Sequence, residues 1–366
     1  MPKVNHIKDV LSALGGQQRI EAALQSNLRW IAKSFEVNGL KGSSGKRTVY
    51  GRWGAPYPET TGYLIPTLLE CSSYNEGLRD IALAQLSFIK SIQNEDGSFY
   101  QAVDNKAPII FDTAQIVIGL IALCPEVLKF EDISDVTKQA VVWMQEQLTA
   151  EGLFLEYNYV DNYNPAYYAR IAWAMSQGEA IFYSKITKKT RTLILRIADL
   201  QNEDLMFDYA GFFPEEMPFT HTIAYTLRGL WECALYINDK KLMHKVTDSL
   251  DHLSKTLLSK GKAAGRYDTH WQGDYSFICS AGNAQLALLY LRVYERLQNK
   301  KFLQVVPLLL KPLLAGQRRL SLNKGAVPSS LPIWGPYQKW SFTNWTQKFY
   351  ADALVSILKM SDRPYL

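Results

Sequence analysis

The chain has 366 residues, 47% hydrophobic and 20% charged, which excludes a disordered chain and leaves material for a sizeable core. Its formal charge is +5, from 40 basic and 35 acidic residues. The charge is mild and scattered, which argues against a nucleic-acid-binding arm. Aromatic residues reach 12%, with 21 Tyr and 9 Trp, an excess that suits either a large core or sugar-stacking clefts.

In chain order, amphipathic runs at 17–35, 78–93, 137–148, 188–201, 240–258 and 300–314 carry charge on one face and Leu, Ile or Ala on the other. Between and after them come runs that are apolar nearly all round, opening at Thr61, Thr113, Tyr168, Thr222, Asn283 and Trp345 in steps of 52 to 62 residues. The first pattern is that of a surface helix and the second that of a buried one. Turn motifs QNEDGSF at 93–99, QLTAEGLF at 147–154 and QNEDLMF at 201–207 punctuate them, with glutamines 54 residues apart both times. Alternating strand runs are short. Six helical hairpins of this period predict an all-α fold, a closed (α/α)6 toroid with the apolar helices inside. A straight solenoid would need polar capping repeats, so residues 1–366 are expected to form one domain.

The long connections at 37–60, 96–111, 151–167, 202–221, 259–282 and 315–344 far exceed the usual four to six or so residues. A toroid gathers them, with the starts of all inner helices, at one mouth, the expected site. They bring together Tyr57, Glu59 and Tyr63; Asp112 and Gln115; Tyr168 and Arg170; His221, Tyr225 and Arg228; Asp268, His270 and Trp271; Asn283 and Gln285; and Trp334 and Trp340. Each type also has a bland role. Glu59, Asp112 and Asn344 precede helix starts and suit N-caps. His221 suits a satisfied helix-start histidine, and the tryptophans suit packing. A buried Arg170 needs an anionic partner, either Glu59 or a substrate carboxylate.

There is no GxSxG, P-loop, GxGxxG or HExxH. No cofactor and no metal is expected, although Cys279, His270 and Asp268 are zinc-ligand types. Cys71, Cys124, Cys233 and Cys279 form no CxxC pair and are expected as reduced core thiols. The N-terminus lacks the apolar stretch of a signal peptide, and no run approaches the roughly 18 apolar residues of a membrane span. The expected location is therefore cytoplasmic.

The QxxDGSF turn at 93–99 resembles the repeat of squalene–hopene cyclases and protein prenyltransferases, although the DxDD motif of the cyclases is missing. A closer resemblance is to toroid proteins encoded among bacterial capsule and O-antigen genes. It rests on YPETTGYLIP at 57–66, FDTAQ at 111–115, THTIAY at 220–225 with Arg228, GNAQ at 282–285, PIWG at 332–335, and Asn344, Trp345, Lys348, Phe349 and Asp352. It spans about residues 53–354. That group is similar to the helical catalytic domain of D-glucuronyl C5-epimerases and, more loosely, to toroid polysaccharide lyases and glycoside hydrolases. Two positions depart from the pattern: His270, where a serine or acidic residue is expected, and Leu205, where a turn glycine is expected.

The resemblance implies an enzyme acting on a bacterial surface polysaccharide or its lipid-linked precursor, an anionic glycan whose handling is compatible with peripheral membrane proximity. The first expectation is uronyl C5-epimerase or lyase chemistry, proton abstraction α to a carboxylate. Arg170, Arg228, Asn283 and Gln285 would neutralise that carboxylate, and Tyr63, Tyr168, Tyr225 and His221 would serve as acids and bases. The alternative is a glycoside hydrolase using two of Glu59, Asp112, Glu156, Asp268 and Asp274. A third reading is a non-catalytic glycan-binding ring.

Overall fold

The computed structural model describes residues 6–127, 131–319 and 325–362, without the side chains of 124–127, 131, 132 and 319. The described helices are α1 (Ile7–Leu14), α2 (Gln17–Glu36), α3 (Pro58–Glu70), α4 (Gly77–Ser91), α5 (Ile110–Val127), α6 (Glu131–Gln147), α7 (Ala169–Tyr183), α8 (Lys188–Ala198), α9 (Thr220–Tyr236), α10 (Lys240–Lys260), α11 (Ser280–Leu297), α12 (Val306–Arg319) and α13 (Asn344–Asp362). Helices α3, α5, α7, α9, α11 and α13 each pack on the next, and α13 returns to α3, closing an inner ring. Helices α4, α6, α8, α10 and α12 each back onto the preceding inner helix, and α2 backs onto α13. The fold is the expected (α/α)6 toroid, with its sixth hairpin built from the two ends of the chain. One helix exceeds the expected twelve: α1 packs against α2, α12 and α13.

Helix α10 illustrates how an outer helix is specified. Leu242, Val246, Leu250, Leu253 and Leu257 recur on one buried face. The Asp239 carboxylate accepts the Leu242 N–H at 3.0 Å, and Gly261 ends the helix in the left-handed conformation. Inner helices are buried on nearly all sides and approach one another through glycine. A Cβ on Gly119 of α5 would lie 2.0 Å from the Gly62 carbonyl oxygen of α3. One on Gly229 of α9 would lie 2.4 Å from the Ala169 carbonyl carbon of α7. These contacts set the bore of the ring. No helix among the described residues is long and apolar enough to cross a membrane.

The two ends of the chain are clasped by side chains. The Asn344 amide donates to Ser34 Oγ at 2.6 Å and to the Ser44 carbonyl at 3.0 Å. The Asn27 amide donates to the Gln347 carbonyl at 2.8 Å. Asn344 thus joins α13 to α2 and to the first connection.

The strands are two to four residues long and lie in the connections. Lys46–Thr48 pairs with Ser341–Thr343, Tyr100–Ala102 with Asn105–Pro108, Arg266–Tyr267 with Gly273–Asp274, and Ile278–Cys279 with Ser330–Leu331, all antiparallel. The first and last of these pairs stitch the final connection to the first and to the fifth, across the mouth.

The turn repeats differ from the sequence reading in one register. Isolated bridges pair Gln93 with Phe99, Leu148 with Phe154, and Gln201 with Phe207. Leu148, not Gln147, therefore holds the repeat position, and the apparent extra residue disappears. Leu205 takes φ 64°, where the equivalent Gly97 and Gly152 take 95° and 74°. A side chain there is strained, so Leu205→Gly is expected to raise unfolding stability by roughly 0.5–1 kcal/mol. Urea denaturation reads this directly, and a loss of stability would contradict it.

Cys71, Cys233 and Cys279 are buried free thiols, whereas the Cys124 side chain lies outside the described residues.

Candidate active site

The inner-helix starts converge on a buried acid pair. Glu59 lies in the first turn of α3, which packs along α5, where Asp112 occupies the first turn. Neither is spent as a cap. Tyr57 holds the α3 cap position. The Asp112 Oδ1 accepts the Tyr159 hydroxyl, and its Oδ2 is buried without a partner among the described residues. Burial pushes the Asp112 carboxyl up to about 7, against the pull of the Tyr159 hydrogen bond. Burial first, and then the neighbouring Asp112, hold Glu59 well above the usual carboxylate range, while Arg170 pulls it down. Two interacting buried carboxyls titrate as a pair, and near neutral pH they retain at least one proton.

Arg170 sits beneath them at the start of α7, 3% exposed. Its Nε and Nη2 both donate to Gln115 Oε1, at 3.0 and 2.6 Å. Its guanidinium lies 4.9 Å from the ring centres of both Tyr225 and Trp173. No ion pair joins it to Glu59 or to any other carboxylate among the described residues. A neutral amide is its contact partner, so a buried positive charge faces the acid pair without a direct counter-ion.

His221, at the start of α9, packs 4.3 Å from Tyr225 between ring centres. Gln285 of α11 donates its amide to His221 Nδ1 at 2.6 Å. Burial, reinforced by Arg170, pushes His221 down to about 3, so the ring is neutral and its proton is on Nε2. Tyr63 and Tyr225 are buried, and their hydroxyls are pushed up by burial and by Glu59. They serve as donors, not as ready bases.

Tyr57 and Tyr159 cap the pair, with their hydroxyl oxygens 3.2 Å apart. Tyr159 is 41% exposed, so this is the side on which the buried pair lies nearest solvent. Elsewhere the mouth is filled by Phe212, Phe219, His221 and Tyr337, whose hydroxyl accepts the Trp345 indole N–H at 2.7 Å. Around the rim, Tyr50, Tyr209, Phe213, Trp334 and Trp340 are exposed. Trp334 and Trp340 form a tilted pair with ring centres 6.1 Å apart.

Several candidates from the sequence lie outside this cluster. The Asp268 carboxylate binds the backbone N–H groups of His270 and Gln272. His270 Nδ1 lies 2.6 Å from Asp204 Oδ2, and the Trp271 indole donates to the Asp204 carbonyl and stacks on His252 of α10. These three therefore tie the fifth connection to a neighbouring turn and an outer helix. Cys279 is buried in a strand beside Ser330, while His270 is exposed, so the zinc-ligand types are not assembled. Asn283 points outward, donating to the Leu309 carbonyl of α12 at 3.1 Å. The Tyr168 hydroxyl is committed to Asn158 Oδ1 at 2.8 Å. Arg228 faces the other end of the ring, paired with Glu232 at 2.7 Å. Tyr159 was not anticipated; the tyrosine-rich stretch around Tyr157 was its only signal.

No family model matches the chain, and no curated protein matches it. Solved structures do. An unsaturated glucuronyl hydrolase from Bacillus sp. GL1 superimposes with TM-score 0.70 and 14% identity, over 92% of this chain and 96% of that one. Cellobiose 2-epimerase from Bacillus thermoamylovorans B4167 gives 0.67 and 14%, over 93% and 98%. A D-mannose isomerase gives 0.72 and 11%, over 93% and 97%. At these identities the likeness establishes the class: the chain has the (α/α)6 toroid fold of these sugar enzymes.

Proposed function

We propose that the chain is a carbohydrate-active enzyme that binds an acidic sugar at the N-terminal mouth of the ring. There it acts with Glu59 and Asp112 as its acid–base pair. The observation that carries this reading is the buried carboxyl pair beside Arg170, a cation with no carboxylate partner. The solved structures of this fold, named as a hydrolase, an epimerase and an isomerase of sugars, support the substrate class.

The pair suits hydrolysis of a glycosidic bond best. That reaction needs one carboxyl to protonate the leaving oxygen and one carboxylate to act as nucleophile or base. Glu59, held well above the usual carboxylate range by burial and by Asp112, is the proton donor. Asp112, ionised above about pH 7, is the carboxylate. Arg170 would hold the sugar's own carboxylate in a charge-assisted bond. The exposed rim aromatics offer faces for further sugar units. The sequence motifs suggest a bacterial surface glycan, or its lipid-linked precursor, as the source of that sugar.

A second reading, uronyl C5-epimerisation or lyase chemistry, is favoured by the polar group of Arg170, Gln115 and Gln285, which would neutralise a uronate during proton abstraction. In this geometry His221 Nδ1 is occupied and the tyrosines are poor bases, so the abstraction falls to Asp112.

Incubation with uronate-containing oligosaccharides separates these outcomes. Saturated new reducing ends indicate hydrolysis. The ultraviolet absorbance of an unsaturated uronate indicates a lyase. Solvent deuterium at C5 without cleavage indicates an epimerase. Binding with no reaction leaves a glycan-binding ring and overturns the enzyme reading. Arg170→Met is expected to raise KM for the acidic substrate by roughly a hundredfold, the size of a lost buried charge pair. An unchanged KM would remove Arg170 from the substrate site.

A further inference from the structure

The ring has a second opening. From the C-terminal ends of the inner helices a cavity of about 340 Å³ runs inward, past Lys348 and Trp173 in the N-terminal halves of α13 and α7, to Arg170. Arg228, Arg292, Lys348 and Lys359 line it, together with Asp352, Glu70 and Glu295. Four carboxylates, Glu70, Glu232, Glu295 and Asp352, stand near five cations. Glu232 is shared between Arg228 at 2.7 Å and Arg292 at 3.9 Å. Asp352 holds Lys348 and Glu70 holds Lys359, each at 2.6 Å. Arg170, at the inner end, has an amide instead of a carboxylate.

These cations are not simply neutralising helix ends. Arg228, midway along α9, and Lys348, in the second turn of α13, are buried at 7% exposure. Among the described residues, the side-chain hydrogen bonds of Arg228, Lys348 and Lys359 go to Glu232, Thr67, Asp352 and Glu70, and none goes to a backbone carbonyl. Burial first disfavours the charged form of Arg228, Glu232 favours it, and the neighbouring Arg292 and Arg170 add to the disfavour. Trp173 supplies a separate signal. It lines the cavity, is nine-tenths buried, and lies 4.9 Å under Arg170 and 5.4 Å under Arg228. Its indole N–H has no partner among the described residues.

We propose that this cavity binds an oxyanion carried on a monosaccharide-sized molecule, a sugar phosphate or a free uronate. Arg228, Arg292 and Lys348 hold the oxyanion, and the Trp173 N–H and ring meet the sugar. The volume is at the lower end for small-ligand sites, which fits one sugar unit. The cavity meets the acid-pair site at Arg170 and Gln285, but Arg228, Arg292 and Lys348 are not part of that site, and the proposal does not rest on the reading given for the pair.

Titration calorimetry of the whole chain with glucose 6-phosphate, glucuronate and glucose tests it. At least one of the two anionic sugars is expected to bind, with glucose at least tenfold weaker, and the stronger of the two identifies the source. Arg228→Gln is expected to weaken that binding roughly tenfold or more, as for a lost charge-assisted contact. Arg292→Gln, at a half-exposed side chain that folding tolerates, is expected to weaken it several-fold. Glu59→Gln should leave it unchanged, so loss of catalysis and loss of this site remain separable. No binding of either anion, equal binding of glucose, or affinity unmoved by both arginine variants would overturn the proposal.

Discussion

Glu59→Gln and Asp112→Asn are each expected to lower kcat/KM on an acidic oligosaccharide by a thousandfold or more, at the upper end of what a positioned acid or base contributes. The pH profile carries the sharper prediction. With Asp112 held up to about 7 and Glu59 also held above the usual carboxylate range by burial and by Asp112, activity should rise as pH increases through about 7, where Asp112 ionises. It should fall again when Glu59 loses its proton. Tyr159→Phe removes a hydrogen bond that favours the charged form of Asp112, so the acidic limb should move to higher pH. The same burial has a stability consequence. The folded chain binds the Asp112 proton more tightly than the unfolded chain, so this group costs stability as pH rises from about 4 towards 7. Asp112→Asn should therefore lose activity while keeping or gaining thermal stability above pH 7, as expected where function is bought with strain. A variant that is both inactive and much less stable would mean that Asp112 supports the fold instead.

Gly119→Ala is expected to be the most damaging single methyl addition in the ring. The added carbon would sit 2.0 Å from the Gly62 carbonyl oxygen, which is backbone and cannot rotate away. Helices α3 and α5 would have to separate, opening a ring whose other contacts are also backbone-close. The expected loss is roughly 3 kcal/mol or more of unfolding free energy, beyond ordinary overpacking. Gly77→Ala, at the start of α4 with its nearest neighbour at 3.7 Å, is the control and should stay within about 0.5 kcal/mol of the parent. Urea unfolding of the two variants decides the matter. Equal stabilities would show that the bore of the ring is not set by these glycines.

The architecture was legible because hairpin periodicity survives in sequence. Inner runs opening at Thr61, Thr113 and Thr222 begin, as helices, within three residues of those positions. The acid pair and Arg170 were legible because charge is costly in an otherwise apolar helix. What periodicity does not encode is direction. In a helix buried on all sides, nothing marks which face looks into the bore, so Asn283 and Gln285, two residues apart, read alike. One ties α11 to α12 and the other reaches His221. The Asp268, His270 and Trp271 group was drawn towards the mouth by residue type, but loop hydrogen bonds to Asp204 place it against α10. Lys348 and Asp352 belonged to the resemblance motif, yet their i,i+4 pairing facing the far cavity emerges only once the ring is closed.

A crystal structure of the Asp112→Asn variant with a uronate-containing disaccharide decides whether Glu59, Asp112 and Arg170 form the sugar site. The sugar carboxylate is expected within hydrogen-bond distance of Arg170, and the glycosidic oxygen within reach of Glu59, with Tyr159 displaced to admit it. A disaccharide bound away from Arg170 and Glu59, or only in the cavity at the opposite mouth, would contradict it.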